Sequence, residues 1–286
     1  MAEIINGKVV SEKLRLELKE EIAEFINESG ITPGLAVIVV GNNPASAVYV
    51  RNKHKACFDV GINSYQIEFP EDISETELLY KIDELNADER VNGILVQLPL
   101  PDGISEKKVI ERISPDKDVD AFHPSNVGRI MIGNYSLLPC TPAGIISLLD
   151  YYGVEVSGKR CAVIGRSNIV GKPMALLLTE RNGTVTLCHS KTDGVDEICR
   201  NSDIIVVAIG RAKFLKADMV KPGAVVIDVG INRLPDGKLC GDVDFDEVSN
   251  VASMITPVPG GVGPMTITTL LRNTLLAARE QYLKRK

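Results

Sequence analysis

Val163-Ile164-Gly165-Arg166-Ser167-Asn168-Ile169-Val170-Gly171-Lys172-Pro173 decides how this chain folds. An apolar run from Cys161 to Ile164 ends in Gly-Arg-Ser; a second glycine and a proline follow, and Met174 to Leu178 reads as helix. The order is strand, tight turn, helix. Glycines in such a turn let backbone N–H groups approach a pyrophosphate, and the helix N-terminus adds the positive end of its dipole. The usual dinucleotide fingerprint is G-x-G-x-x-G. Here Ser167 replaces the second glycine, so the pattern alone also fits a plain strand-to-helix turn. A second apolar strand, Val185 to Cys188, follows. An NAD-preferring site usually carries an Asp or Glu at the end of that strand for the ribose hydroxyls. This chain has Cys188-His189-Ser190-Lys191, with Arg166 in the turn. A carboxylate would repel a ribose 2′-phosphate, whereas Arg, Ser and Lys attract it, so the residues favour NADP.

Upstream, residues 8–29 place Leu14, Leu18, Ile22 and Phe25/Ile26 on one helical face, with Gly30 as the stop. Gly34 to Val40 is a continuous apolar run, as in a buried parallel strand. Gly41-Asn42-Asn43-Pro44 is a turn, and a helix then runs from Pro44 or Ala45 to about Asp59. Ile62 to Phe69 is the next strand, Ser74-x-x-Glu77 a capping box, and Gly93 to Leu98 another buried strand broken by Pro99 and Pro101. Residues 1–125 thus repeat strand and helix in the α/β manner, and residues 126–139 read as a connection. Thr141 caps a helix with Pro142 at its first position, running to Tyr152. After the dinucleotide unit come the strands Ile204 to Ile209 and Ala224 to Val229, followed by Gly210 and Gly230. Residues 256–264, Thr-Pro-Val-Pro-Gly-Gly-Val-Gly-Pro, are expected to be an irregular loop, and Met265 to Leu283 an amphipathic helix.

A chain of 286 residues suits two modest domains. A hydrophobic fraction of 44% and a mean hydropathy of +0.07 are those of a soluble globular protein. A net charge of −6 with no Lys/Arg block argues against non-specific nucleic-acid binding. No signal-peptide pattern and no long apolar run is present, so a cytoplasmic protein without membrane segments is expected. The six cysteines (57, 140, 161, 188, 199 and 240) form no C-x-x-C and read as buried thiols. The three histidines lack metal-ligand spacing, and no structural metal is expected.

Tyr49 and Lys53 stand four apart on a predicted helix and share a face. That face is either solvated, as Arg51, Asn52 and Lys55 would suit, or aims a lysine into a cleft beside a tyrosine. Gln97 sits at the C-terminal end of a buried strand, where α/β proteins bind ligands, or is a loop residue bonding its own backbone. Asp116, Asp118 and Asp120 alternate in a turn without the glycine and Glu spacing of an EF-hand; turn and cap chemistry is the simpler reading.

Seven blocks together resemble the bifunctional methylenetetrahydrofolate dehydrogenase/cyclohydrolases over nearly the whole chain. They are Tyr49-Val-Arg-Asn-Lys53-x-Lys-Ala, Gly93-Ile-Leu-Val-Gln97-Leu-Pro-Leu-Pro101, Pro115-x-Lys-Asp-Val-Asp120 and Pro139-Cys-Thr-Pro142. Val163-Ile-Gly-Arg-Ser167 with Ile169-Val-Gly-x-Pro173, Cys188-His-Ser-Lys-Thr192 and Thr256-Pro-Val-Pro-Gly-Gly-Val-Gly-Pro-Met-Thr266 complete the set, in the family's order. One departure is Ala121, where the family usually has glycine after Val-Asp.

The resemblance implies two α/β domains: an N-terminal folate-binding, catalytic domain (1–140, completed by the C-terminal helix 265–286) and a Rossmann NADP-binding domain (141–264), with a cleft between them. It implies oxidation of 5,10-methylenetetrahydrofolate by NADP⁺ and hydrolysis of the methenyl product to 10-formyltetrahydrofolate, in one-carbon metabolism and purine biosynthesis. It makes Lys53 the centre of the hydrolytic step, flanked by Tyr49 and held by Gln97, with Asp120 receiving the pterin N–H groups. Pro259, Gly260 and Gly261 would form a loop against the folate. Gly165, Arg166, Ser167, Ser190 and Ile231 match the cofactor positions, Arg166 and Ser190 facing the 2′-phosphate and Ile231 the nicotinamide. A homodimer joined through the dinucleotide domains is implied as well. The alternatives are a dehydrogenase without hydrolytic activity and a non-catalytic folate- or NADP-binding module.

Overall fold

The computed structural model describes the backbone of residues 1–41 and 44–286 and the side chains of 1–41 and 50–286. The strands are β1 (Glu3–Ile4), β2 (Gly34–Val40), β3 (Asn63–Phe69), β4 (Gly93–Val96), β5 (Arg160–Ile164), β6 (Thr184–Cys188), β7 (Ile204–Val207), β8 (Val225–Asp228), β9 (Asn232–Arg233), β10 (Leu239–Cys240) and β11 (Met254–Ile255). The helices are α1 (Gly7–Ser29), α2 (Pro44–Val60), α3 (Glu75–Ala87), α4 (Glu106–Arg112), α5 (Pro124–Met131), α6 (Cys140–Tyr151), α7 (Gly171–Glu180), α8 (Val195–Arg200), α9 (Phe245–Val248) and α10 (Val262–Arg285). Contacts divide the chain into two units, Lys13–Cys140 with Ile267–Lys286, and Met1–Glu12 with Thr141–Thr266.

The first unit is built on a parallel sheet in the order β3-β2-β4. Strand β2 is apolar along its whole length because both its faces are covered. On one face Leu35, Val37 and Leu95 join Leu18, Ile22 and Phe25 of α1 and Leu270, Leu271 and Leu275 of α10. On the other, Ala36, Ile38, Ile94 and Val96 meet Leu78, Ile82 and Leu85 of α3 and Val109 of α4. Each fully buried Leu or Ile contributes about 1.5–3 kcal/mol. Helix α3 starts in the expected capping box: Glu77 N donates to Ser74 Oγ (3.2 Å) and Ser74 N to Glu77 Oε2 (3.1 Å).

The second unit carries a six-stranded parallel sheet in the order β1-β11-β8-β7-β5-β6. The chain crosses from β6 over β5 to β7. The carboxyl ends of β5 and β7 therefore flank a topological switch point, where open α/β sheets bind ligands.

The structure departs from the sequence reading in four places. Met1–Glu12 groups with the second unit because Glu3 and Ile4 pair with Met254 and Ile255, a two-residue strand too short to show a period. The stretch read as a connection contains much of α5, whose first turn accepts Pro124 and whose His123 Nδ1 receives Ser125 N (3.1 Å). Helix α10 begins at Val262, so residues 262–264 are helical; Pro264 falls in the first turn, where N–H groups have no partner within the helix. Helix α6 starts at Cys140, and Thr141 Oγ1 shares a hydrogen bond with Thr266 Oγ1 (3.0 Å) where a cap was expected.

Candidate functional site

In the first unit α2 carries Lys53 to the end of the sheet. Lys53 is only 9% exposed, and its Nζ donates to Gln97 Oε1 at 2.9 Å. Gln97 sits just beyond β4, with its N–H on Ile38 O (2.8 Å) and its Nε2 on Leu98 O (2.9 Å). Both ends of the Gln97 amide are thereby fixed, and its carbonyl oxygen is turned to the lysine. Burial pushes the Lys53 pKa down, and the Asp120 charge opposes that shift. Burial pushes the Asp120 carboxyl up, and Lys53 opposes it. The amine and the carboxylate each limit the cost of burying the other.

The Asp120 turn is held from behind. Asp118 is 2% exposed, and its Oδ2 accepts His123 N (2.8 Å) and Asn126 Nδ2 (2.9 Å). Burial raises its pKa to about 6. Asn273 of α10 donates to both Val119 O and Leu138 O (2.8 Å each). The Cys140 thiol donates to Val119 O (3.4 Å) and also bonds Asp120, and burial keeps it protonated. Ala121 adopts φ 56°, the left-handed region that favours glycine, with its N–H on Asp118 O (3.0 Å). Asp116 points elsewhere, to Lys284 Nζ at 2.6 Å, so the three alternating carboxylates do not converge. No group of three His, Cys, Asp or Glu among the described residues has metal-binding geometry. The sequence reading gives Asp118 only turn chemistry and Cys140 only a buried thiol, and does not single out Asn273; Cys140 and Asn273 reach the turn only through long-range packing. The Tyr49 backbone lies in α2; its side chain falls outside the described residues.

In the second unit Gly165 ends β5 at φ 123°, with its N–H on Cys188 O (2.9 Å). A Cβ on Gly171 would overlap Gly165 O, so the helix start crosses the turn at backbone distance. Ser167, at the missing second glycine, accepts Val170 N (3.1 Å) and Gly171 N (3.3 Å) on its Oγ and closes the turn with its side chain. Ser167 and Arg166 are both exposed. After β6, a turn with Thr192 N on His189 O (2.9 Å) and Lys191 N on His189 Nδ1 (3.1 Å) leaves Ser190 and Lys191 exposed. A glycine cradle and an exposed cation at the end of the first strand fit a dinucleotide phosphate. Ile231 follows β8 and is 50% exposed. Pro259, Gly260 and Gly261 lie in this same unit: Lys8 N donates to Gly260 O (3.0 Å), and Gly7 packs on Gly261. The structure therefore brings Lys53, Gln97 and Asp120 together in one unit, and the glycine turn, Ser190, Ile231 and the 259–261 loop in the other.

The family described as tetrahydrofolate dehydrogenase/cyclohydrolase, catalytic domain, matches residues 5–120, and the NAD(P)-binding domain of the same family matches residues 139–282. The bifunctional protein FolD of Acetivibrio thermocellus is 58% identical over 280 residues, 98% of each chain. The structure of the bifunctional FolD dehydrogenase/cyclohydrolase from Campylobacter jejuni superposes with a TM-score of 0.96 at 50% identity, covering 98% of this chain and 100% of that one. The Trypanosoma brucei enzyme, solved with NADP cofactor and an inhibitor, gives a TM-score of 0.94 at 39% identity, covering 98% of each chain.

Proposed function

The chain belongs to the tetrahydrofolate dehydrogenase/cyclohydrolase family, and on that premise we propose how its residues carry the two reactions. It is an NADP-dependent methylenetetrahydrofolate dehydrogenase and methenyltetrahydrofolate cyclohydrolase. In the first step a hydride leaves the one-carbon bridge of 5,10-methylenetetrahydrofolate and the methenyl cation forms. NADP⁺, when bound, supplies the hydride acceptor. With NADP⁺ bound, Gly165 would let the pyrophosphate approach the backbone of the turn and the Ser167 hydroxyl would donate to it, Arg166 and Ser190 would take the 2′-phosphate, and Ile231 would flank the nicotinamide. In the second step water adds to the methenyl carbon, a C–N bond opens, and 10-formyltetrahydrofolate and one proton result.

Lys53 takes that proton from water, directly or through a relay. The observation that carries this role is the buried Lys53–Gln97 pair at 2.9 Å beside Asp120. Burial favours the neutral, basic amine, and Gln97 aims it without adding a charge. Asp120 receives the pterin N–H groups, Tyr49 shapes the lysine's setting, and Pro259, Gly260 and Gly261 lie against the folate. We further propose a cytoplasmic homodimer joined through the NADP-binding units, whose formyl product feeds purine biosynthesis. The edge position of β6 in the second unit's sheet supports the pairing. The test is Lys53→Gln. Cyclohydrolase should fall by about 10²–10⁴-fold while measurable hydride transfer persists. Equal retention of both activities would remove Lys53 from the mechanism.

A further inference from the structure

The carboxyl ends of β7 and β8 are tied together by two buried aspartates that neither reaction has yet used. Asp242 is 0% exposed, and its Oδ2 accepts Ile209 N (2.7 Å) and Gly210 N (2.9 Å), the residues that follow β7. Its Oδ1 accepts Asn232 Nδ2 (2.9 Å), beyond β8. Asp228, 3% exposed at the end of β8, accepts Gly230 N (3.0 Å) and Asp242 N (2.9 Å) on Oδ1 and Val243 N (2.9 Å) on Oδ2. The Asp228 N–H donates to Thr256 Oγ1 at 2.7 Å. Side chains are excluded where the strap passes: a Cβ on Gly230 would stand 2.6 Å from Asp242 N, and one on Gly241 would stand 2.7 Å from Asp228 Oδ1.

Burying two carboxylates is costly, and apolar packing would hold two loops at less expense. What the carboxylates supply is a fixed backbone around one exposed residue. Ile231 is 50% exposed, yet Gly230 before it is bonded to Asp228 and Asn232 after it to Asp242. The same Asp242 fixes the Ile209-Gly210 turn after the neighbouring strand. We propose that Asp242, seated by Asp228, is a positioning residue for hydride transfer that sets the surface against which the nicotinamide ring lies and takes no part in hydrolysis. The proposal rests on the cofactor reading above, in which the dinucleotide crosses the carboxyl ends of this sheet.

The test compares Asp242→Ala, Asp242→Asn and Asn232→Ala for dehydrogenase kcat and for KM of NADP⁺. It adds the primary deuterium isotope effect with methylene-deuterated substrate, and cyclohydrolase activity on methenyltetrahydrofolate without cofactor. Asp242→Ala should lower dehydrogenase kcat by about 10- to 100-fold and raise the isotope effect, since small misplacements of reacting atoms cost that much. KM for NADP⁺ and cyclohydrolase should each change by less than about twofold, because phosphate binding and water activation use other residues. Asp242→Asn should recover most of the rate: its amide oxygen still accepts Ile209 and Gly210 N–H once the Asn232 amide rotates. Asn232→Ala, which removes one hydrogen bond and should fold even if Asp242→Ala does not, should lower dehydrogenase selectively. Parallel loss of both activities, or an unchanged dehydrogenase kcat and isotope effect in Asn232→Ala, overturns the proposal. A parallel Arg166→Ala measurement separates the two layers. If it leaves KM for NADP⁺ unaltered, the cofactor placement fails and this proposal falls with it. If KM responds and the Asp242 and Asn232 variants do not, this proposal alone fails.

Discussion

Replacing Gln97 by Glu exchanges the Nε2 amide nitrogen for oxygen and makes the oxygen 2.9 Å from the Lys53 amine part of a charged carboxylate. Two unit charges at that distance attract by about 6 kcal/mol at an effective dielectric of about 20. Desolvation of the new carboxylate offsets much of this, and so does the loss of the Gln97 Nε2 bond to Leu98 O. What remains is the usual effect of an opposite charge on a neighbouring amine, about 1.4–4 kcal/mol in favour of its protonated form. The sign follows from the base role. In the proposed role neutral Lys53 accepts the proton from water; burial favours the neutral form, and the new carboxylate favours the cation. At a fixed pH near 7, the neutral fraction and the cyclohydrolase rate should fall by about 10- to 10³-fold. The loss should be recovered on raising the pH, with the rising limb of the pH–rate profile displaced to alkaline values. Dehydrogenase activity should fall less, since hydride transfer needs no base at this position. The assay is methenyltetrahydrofolate hydrolysis from pH 6 to 10, corrected for the uncatalysed rate. A profile that keeps its wild-type limb, whether or not its height drops, would refute the assignment of that limb to Lys53.

Two further outcomes follow from the same geometry. Arg166→Ala should weaken NADP⁺ by about 1–3 kcal/mol and NAD⁺ hardly at all, measured as the ratio of kcat/KM values; equal losses would remove Arg166 from the 2′-phosphate. Ala121→Gly should be close to neutral in urea unfolding. Relief of φ 56° is worth about 1–2 kcal/mol, against about 0.8 kcal/mol for the lost methyl of a fully buried residue and about 0.4–1 kcal/mol of unfolded-state entropy. A change beyond about 2 kcal/mol in either direction would show that the turn stores or releases strain these terms omit.

The alternation of buried strands and helices was legible because parallel strands covered on both faces are written as unbroken apolar runs. Gly34–Val40 and Ile204–Val207 are of this kind. The glycine turn was legible in part. Sequence shows Ser167 in place of a glycine, but not that its Oγ accepts the N–H groups at the start of α7. Lys53 was visible as a candidate, yet its helix face reads as solvated from spacing alone. Its partner Gln97 lies 44 residues away, on a different element. The supports of the Asp120 turn were less legible still: Asn273 reaches Val119 O across 154 residues of sequence. Ala121 stands out only through the resemblance, as a departure from the family's usual glycine, and only the backbone shows that the left-handed turn is kept with a methyl in it. The Asp228–Asp242 strap left no periodic trace, because its information is carried by backbone N–H groups, which every residue but proline has.

The most direct test of the account is a two-stage assay on 5,10-methylenetetrahydrofolate with NADP⁺ and, separately, with NAD⁺. It follows reduced cofactor together with methenyl- and 10-formyltetrahydrofolate. The account predicts reduction with a clear preference for NADP⁺, and methenyl that decays faster than without enzyme. Methenyl that accumulates and decays at the uncatalysed rate would contradict the hydrolytic role of Lys53, and no reduction with either cofactor would contradict the whole.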